Sequence, residues 1–564
     1  MITKKTLQLS LKSLRDFAKK RLPDEELIAL DERDECPVEI VRHMSHPDKL
    51  GIQLLFIPEE YGGLGGSTMD VYLICEQMAR IDLGVATSLF ATFLGSDPIT
   101  FGATPEQKKK WLGKIAEEGI LFAYGATEPD AGSDLGALKT TADRVEENGK
   151  IVGYKINGSK QWISNGGIAE HYTILANTAA GPSWFIVDAG TKGFAHDKPE
   201  NKHGIRLSNT AALSLTDVFV TPDRLVGGVE GQGLIQAQMV FGYTRVMVAA
   251  FGLGAGWSAL DRAIPYSTKR IQGGTPLSEK QGYTHKLIVP HVVKLEAGRA
   301  YIEETAQKID TAPAGVLFNT EGAIAKYMST EAGHAAADAS IQALGGYGYT
   351  HEYMVEKVSR DVRITRIYEG TSEIMEMTIS RDRWQHHLKT KGQYYHDKAR
   401  EAEALHAKNP NVGADTAALA LHALAELMEK ARVHRLTRFQ HILFRIGEWI
   451  AYAECALTLA KRAALFADGK QHEKANDRFD ATALAAISRI FARNAAIKVA
   501  QDGLKCIAGA GGVSDEEMPL FEAALSTTAI HRAQKGLVDD MDCVAEVLYN
   551  RVKKATEVKQ PVLA

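Results

Sequence analysis

Cysteine is scarce and scattered. Cys36, Cys75, Cys455, Cys506 and Cys543 are the only five, and no two have the spacing of a zinc or redox pair. They read as reduced core thiols, which sets aside a disulfide scaffold, and no metal site is expected. No uninterrupted apolar run reaches the ~20 residues of a membrane-spanning helix. Neither sign of charge dominates: 66 Lys and Arg face 70 Asp and Glu, a net charge of −4. Between residues 401 and 564 the only basic run is RVKK (551–554), so the electrostatic footprint of nucleic-acid binding is missing. Two glycine-rich stretches lack the residues of a nucleotide loop. PEEYGGLGGS (58–67) has no Lys-Ser/Thr ending and reads as a connector. Gly252, Gly254 and Gly256 follow an apolar run, but Trp257 stands where a dinucleotide fingerprint needs its third glycine, so close helix packing is the better account.

At 564 residues, 45% of them hydrophobic, the chain is too long for one core. The amphipathic, basic N-terminus MITKKTLQLSLKSLRDFAKKRL reads as a first structural helix, since acids enter at Asp16, and not as a removed targeting segment. The expected location is therefore the cytoplasm. Residues 1–120 show helical periodicity through Val71, Ile74, Cys75 and Met78. Residues 121–230 change to alternating runs broken by Asn148-Gly149, Asn157-Gly158 and Gly166-Gly167, the pattern of a small antiparallel β domain, either barrel or sandwich. Helical periodicity returns over 231–385. The polar stretch 386–412, ending in Asn-Pro-Asn, reads as a linker, and 413–564 as a second, alanine-rich helical bundle. Within it, LKCIAGAGGVSDE (504–516) echoes IQALGGYGYTHE (341–352), the mark of a degenerate copy of the preceding bundle. RFQHILFRIGEWIAYAECAL (438–457) fits a helix packed on the core better than one lying on a membrane surface.

The most informative stretch is RIYEGTSEIM (366–375). Glu369 stands between Tyr368 and Gly370, and Thr371 or Ser372 can cap the helix beyond. A carboxylate beside glycine at a helix start can be held rigidly while a ligand approaches, which suits a general base, although a lone Glu-Gly pair is more often an ordinary surface feature. Three other stretches accompany it. In YGATEPDAGSDLG (124–136), small residues let the backbone approach a ligand, and Thr127 and Ser133 offer hydroxyls. In KQWISNGG (160–167), the Trp162 indole can lie against a flat heterocycle with Ser164 beside it, or it can be a core tryptophan in a hairpin. In QALGGYGY (342–349), glycines follow a helix as a C-terminal cap.

These four stretches, in this order, resemble the acyl-CoA dehydrogenase family over about residues 1 to 385. The resemblance implies a mainly α fold: a helical domain, a β-barrel and a four-helix bundle. The added C-terminal helical bundle is similar to that of the very-long-chain type, in which it covers the surface that tetrameric relatives use to pair dimers. It also implies noncovalent FAD and α,β-dehydrogenation of an acyl-CoA thioester, with electrons passing to electron-transferring flavoprotein. A homodimer is implied too, because in the family the glycine loop meets a neighbouring subunit's flavin. By resemblance the base is Glu369. The cofactor contacts are Tyr124, Ala126, Thr127, Ser133, Trp162, Ser164, Arg270, Gln281, Gln342, Gly345, Gly346, Thr371 and Glu373, and the substrate contacts are Ser133, Thr244, Arg245 and Gly370. From the residues alone, Arg270 reads equally well as a surface charge. Some members carry the base immediately before the residue matching Arg245; here that position is Thr244, so Glu369 keeps the role. Position 242, more usually polar in the family, is glycine. The alternatives are an acyl-CoA oxidase using oxygen and a DNA-associated flavoprotein of the same fold; peripheral membrane contact is not favoured.

Overall fold

The computed structural model describes residues 2–557 except Ala314. Residues 558–564 of the predicted C-terminal domain lie outside the described residues, as do the side chains of the RVKK run. The chain divides into two compact units. Unit 1 comprises Met1–Met247, Ile309–Asn319 and Arg360–Ile364; unit 2 comprises Val248–Lys308, Thr320–Ser359 and Thr365–Ala564.

Unit 1 opens with six helices: α1 (Lys4–Arg21), α2 (Asp24–Glu32), α3 (Val38–Ser45), α4 (Thr68–Ile81), α5 (Leu83–Gly102) and α6 (Pro105–Glu118). Their starts are legible as caps. Thr3 caps α1, Ser67 and Asp70 form a capping box on α4, Asp82 caps α5, and Thr104 with Gln107 forms a second box ahead of Pro105. Then come β1 (Phe122–Gly125), β2 (Thr141–Glu147), β3 (Lys150–Ser164), β4 (His171–Thr178), β5 (Gly181–Asp188), β6 (Phe194–His196) and β7 (Thr210–Val220). They form one sheet in the order β1-β4-β2-β3-β7-β6, with β5 also paired to β4. Alternation predicts antiparallel pairing, and most of it is; β1 and, at Thr141 alone, β2 instead run parallel to β4. Both faces of β5 are covered. Phe185 and Val187 of β5 enter one core with Tyr154, Ile156 and Leu213, while Trp184 and Ile186 enter another with Trp111 and Ile115 of α6. A strand buried on both sides needs an unbroken apolar run, and SWFIVD supplies it.

Helix α7 (Gly233–Lys269) has residues in both units. By length and composition it could cross a membrane, which corrects the reading that no stretch reaches that length; 83% of its most apolar window is buried, as in a core helix. In unit 2 the next elements are the hairpin β8 (Ile271–Gln272) and β9 (Thr275–Pro276), then α8 (Gln281–Leu287), α9 (Val289–Thr311), α10 (Asn319–Leu344), α11 (Met354–Val362) and α12 (Ser372–Lys389). The glycines of α7 serve packing. A Cβ on Gly333 of α10 would lie 2.0 Å from the Gly252 carbonyl oxygen, and one on Gly256 would lie 2.9 Å from the Gly333 Cα.

The rest of unit 2 is α13 (Gln393–Lys408), α14 (Ala414–Val433), α15 (Gln440–Ala467), α16 (Ala481–Gly509), α17 (Met518–Ala524), α18 (Thr527–Arg532) and α19 (Leu537–Glu557). Two domain readings need correction. The stretch 386–412 is no linker: α12 runs on to Lys389 and α13 fills most of the remainder. Tyr395, Ala399 and Ala402 form its buried stripe, a signal that two alanines make faint in a polar sequence. Most of the bundle predicted at 231–385 shares one compact unit with the 413–564 bundle, namely its Val248–Lys308, Thr320–Ser359 and the part from Thr365. The echo between them has a structural counterpart. α10 and α16 each end just before a glycine at positive φ, Gly345 (+62°) and Gly511 (+73°), and the interval from Leu344 to Ser372 equals that from Gly509 to Leu537. Ile446, Trp449, Ile450 and Leu457 of α15 are buried, as the packed-helix reading of 438–457 requires. Of the cysteines, Cys75 and Cys455 are core thiols, whereas Cys36, Cys506 and Cys543 are half-buried.

Candidate active site

The Tyr368–Gly370 turn precedes α12. Glu369 adopts φ +55° and Gly370 φ +89°. A left-handed glutamate costs about 1–2 kcal/mol and persists only where its surroundings fix it. Thr371 then caps α12, its hydroxyl accepting from the Ile374 N–H at 3.3 Å. Glu369 and Gly370 are half-buried and Glu373 is exposed on the first turn. From α10, the buried Lys326 donates to the Gly370 carbonyl. Glu331 Oε1 accepts from Arg366 Nε at 2.7 Å and from the Ser372 hydroxyl at 2.6 Å. One turn further along α12, burial pushes Glu376 up to about 7 against the pull of Arg445. Lys326, Glu331 and Glu376 carry no sequence signal, being single charges in ordinary helical stretches.

In unit 1 the second and third stretches are joined through their backbones: the Gln161 N–H donates to the Thr127 carbonyl at 3.0 Å. The pairing of β3 with β7 slips between Lys160 and Ile163. This bulge gives Trp162 φ +61° and turns its indole outward, 61% exposed, while Trp111 and Trp184 are buried. The core-tryptophan alternative is thereby removed. Beneath the bulge, Lys160 Nζ donates to Glu128 Oε1 at 2.7 Å and to the Ala126 carbonyl at 3.1 Å. Burial pushes the ammonium down to about 8 although Glu128 opposes it. Burial works to raise Glu128 as well, yet Lys160 and the Thr140 and Lys139 donors hold it below its ordinary value. Ala126 is buried; Tyr124, Thr127 and Ser164 are half-buried; Ser133 is exposed. An outward indole flanked by hydroxyls and small residues fits a flat heterocycle such as a flavin.

Thr244 and Arg245 are buried on the unit 1 part of α7. Arg245 Nη1 donates to the Asn319 carbonyl at 3.2 Å, and its guanidinium lies 5.0 Å from the centroid of the Phe241 ring. A Cβ on Gly242 would come within 3.1–3.2 Å of the Phe318 backbone, so close approach of that segment accounts for the glycine. In unit 2, Arg270, Gln281, Gln342, Gly345 and Gly346 are all exposed. Tyr283 of α8 donates to the Ala343 carbonyl at 3.0 Å, tying the Gln281 segment to the glycine loop. Gln281 Nε2 donates to Asp542 of α19 at 3.1 Å, a partner that the resemblance does not anticipate. The site residues thus form two sets, one in each unit.

Three family models match in chain order: the acyl-CoA dehydrogenase N-terminal domain over residues 4–119, the middle domain over 123–218 and the C-terminal domain over 231–383. With the relatives named acyl-CoA dehydrogenase from Bacillus subtilis and Megasphaera elsdenii, each 36% identical, these models make the chain an oxidoreductase. The chain belongs to the acyl-CoA dehydrogenase family. It is similar to butyryl-CoA dehydrogenase from Megasphaera elsdenii, with a TM-score of 0.62 and 35% identity, over 67% of this chain and 98% of that one. A chain from an electron-transferring flavoprotein structure of Acidaminococcus fermentans gives 0.63 and 32%, over 68% and 98%. An acyl-CoA dehydrogenase complexed with FAD from Bacillus anthracis shares the fold over nearly the full length, at TM-score 0.80 and 22% identity, over 98% and 96%.

Proposed function

We propose that this chain oxidises the α,β-bond of a saturated acyl-CoA thioester to the 2-enoyl-CoA, with electron-transferring flavoprotein as final acceptor. The observation that carries the reading is the Tyr-Glu-Gly-Thr turn, where Glu369 is held in a left-handed conformation beside a helix start. Its carboxylate takes the proton from the carbon next to the thioester carbonyl, forming an O–H bond as the C–H bond breaks. FAD, when bound, supplies the acceptor for the hydride leaving the neighbouring carbon. Trp162 offers a face to the ring system, and Thr127 and Ser164 offer hydroxyls at its edge. Likeness to the Megasphaera and Acidaminococcus chains supports the substrate class and the acceptor. The test is anaerobic mixing with saturated acyl-CoAs of graded chain length. At least one is expected to bleach the flavin absorbance; a full panel without bleaching would overturn the proposal.

The cradle gives a separate expectation. Lys160→Met keeps most of the volume but leaves the buried Glu128 carboxylate without its ammonium and releases the Ala126 carbonyl. The segments bearing Thr127 and Trp162 then lose their shared anchor, and FAD affinity is expected to fall about tenfold or more. Flavin titration of the apoprotein, with thermal denaturation as control, checks it. Wild-type affinity would mean that Lys160 does not shape the cradle.

A further inference from the structure

We propose that Lys326 and Glu331 of α10 are positioning residues that hold the Tyr368–Gly370 turn and so aim Glu369. The proposal rests on the reading of Glu369 as the base. The left-handed Glu369 needs external restraint, because the Thr371 cap fixes only the helix beyond it. The restraint comes from one helix at three points. Glu331 receives Arg366 before the turn and Ser372 after it on a single oxygen, at 2.7 and 2.6 Å. Between them Lys326, 0% exposed, donates to the carbonyl of Gly370, the residue next to Glu369. Bringing an ammonium into the interior is costly, whereas methionine would fill similar space without that penalty. The lysine is therefore explained by the carbonyl it grips.

The helix that supplies these contacts is itself fixed. Gly333 lies seven residues beyond Lys326 on α10, two turns along, and its backbone packs directly on Gly252 of α7. Both Lys326 and Glu331 are thus carried by an element with little room to shift. Misplacing a base by about 1 Å costs on the order of 10²-fold in rate, so loss of either grip has a kinetic signature.

The test compares Lys326→Met, Glu331→Ala and Glu331→Gln with wild type and with Glu369→Gln, all loaded with FAD. Anaerobic stopped-flow against acyl-CoA concentration separates the limiting rate of flavin reduction from substrate affinity. Lys326→Met and Glu331→Ala are expected to lower the limiting rate per flavin about 100-fold, with substrate Kd within about threefold of wild type. Glu331→Gln keeps an acceptor oxygen and is expected to recover most of the rate. The half-exposed Glu331 keeps the proposal testable if Lys326→Met does not fold. Rates within threefold of wild type in both disrupting variants, with only thermal stability lowered, would overturn the positioning role. If Glu369→Gln itself reduces flavin at the wild-type rate, the base reading fails and the proposal falls with it. If that variant is slow while the α10 variants are fast, only the positioning inference fails.

Discussion

Glu369→Gln is expected to slow flavin reduction by at least about 10³-fold while leaving fold, flavin content and acyl-CoA binding near wild type. The amide has the shape of the acid and keeps much of its hydrogen bonding, but at neutral pH it cannot accept a carbon-bound proton. Retained folding is expected because the turn is held from outside: Thr371 caps α12, and Arg366, Ser372 and Gly370 are gripped by α10. None of these contacts uses the carboxylate itself. Were Glu369 only a residue beside a cap, the same change would alter stability slightly and leave the kinetics alone. Anaerobic stopped-flow decides between the two, since it observes reduction before any acceptor is involved. A rate near wild type would remove Glu369 from the chemistry.

Arg383→Leu is expected to destabilise unit 2 by about 3–5 kcal/mol, the usual cost of leaving a buried charge without its partner. Arg383 Nε donates to Glu454 Oε1 at 2.7 Å and Nη2 to Glu321 at 3.0 Å. The same Glu454 carboxylate accepts from Tyr301 at 2.8 Å and from Tyr395 at 2.9 Å, so α9, α10, α12, α13 and α15 meet around one guanidinium-carboxylate pair. Burial works to raise Glu454, but Arg383 and Lys398 hold it far below its ordinary value of 4.5. A carboxyl depressed in the folded state contributes stability above its unfolded pKa and loses it as pH falls through the folded value. The gap between variant and wild type is therefore expected to be widest near neutrality and to narrow below about pH 4.5. Denaturation at pH 7 and pH 4 checks the sign. Adding Glu454→Leu to Arg383→Leu is expected to recover part of the loss, because an apolar pair leaves no stranded charge. Equal stability of single variant and wild type at pH 7 would contradict the account.

Much of this architecture was legible because local chemistry announces it. The cap at Thr371 marks the start of α12, and the change from helical to alternating periodicity near residue 121 marks the sheet. Helix α13 was not legible, because Ala399 and Ala402 form a buried stripe with little hydrophobic contrast. The parallel pairing of β1 with β4 depends on partners distant in sequence, which strand periodicity does not encode. Around the site, the presence of Trp162 could be read but its direction could not. A bulge reverses the alternation that would have assigned it to one face. Lys160, Glu128, Lys326 and Glu331 escaped notice for a common reason. Charged side chains are ordinarily solvent-facing, and only the fold reveals that the first three are enclosed.

The ionic seam along α15 makes the C-terminal helices part of the first bundle's own charge balance. Glu296, Arg299 and Glu303 of α9 and Arg383 of α12 lie on helices of the first bundle, yet Arg462 and Glu454 of the second complete their pairing. Gly447 of α15 also presses so close to α12 that a Cβ there would lie 2.2 Å from the Glu376 carbonyl oxygen. An ancestor ending after α12 could carry apolar or wholly solvated residues at these positions. Once they became charged and enclosed, a premature stop codon would uncover mismatched charge as well as bare apolar surface. A chain cut after α12 is therefore expected to need several compensating substitutions along the exposed helices before its bundle folds.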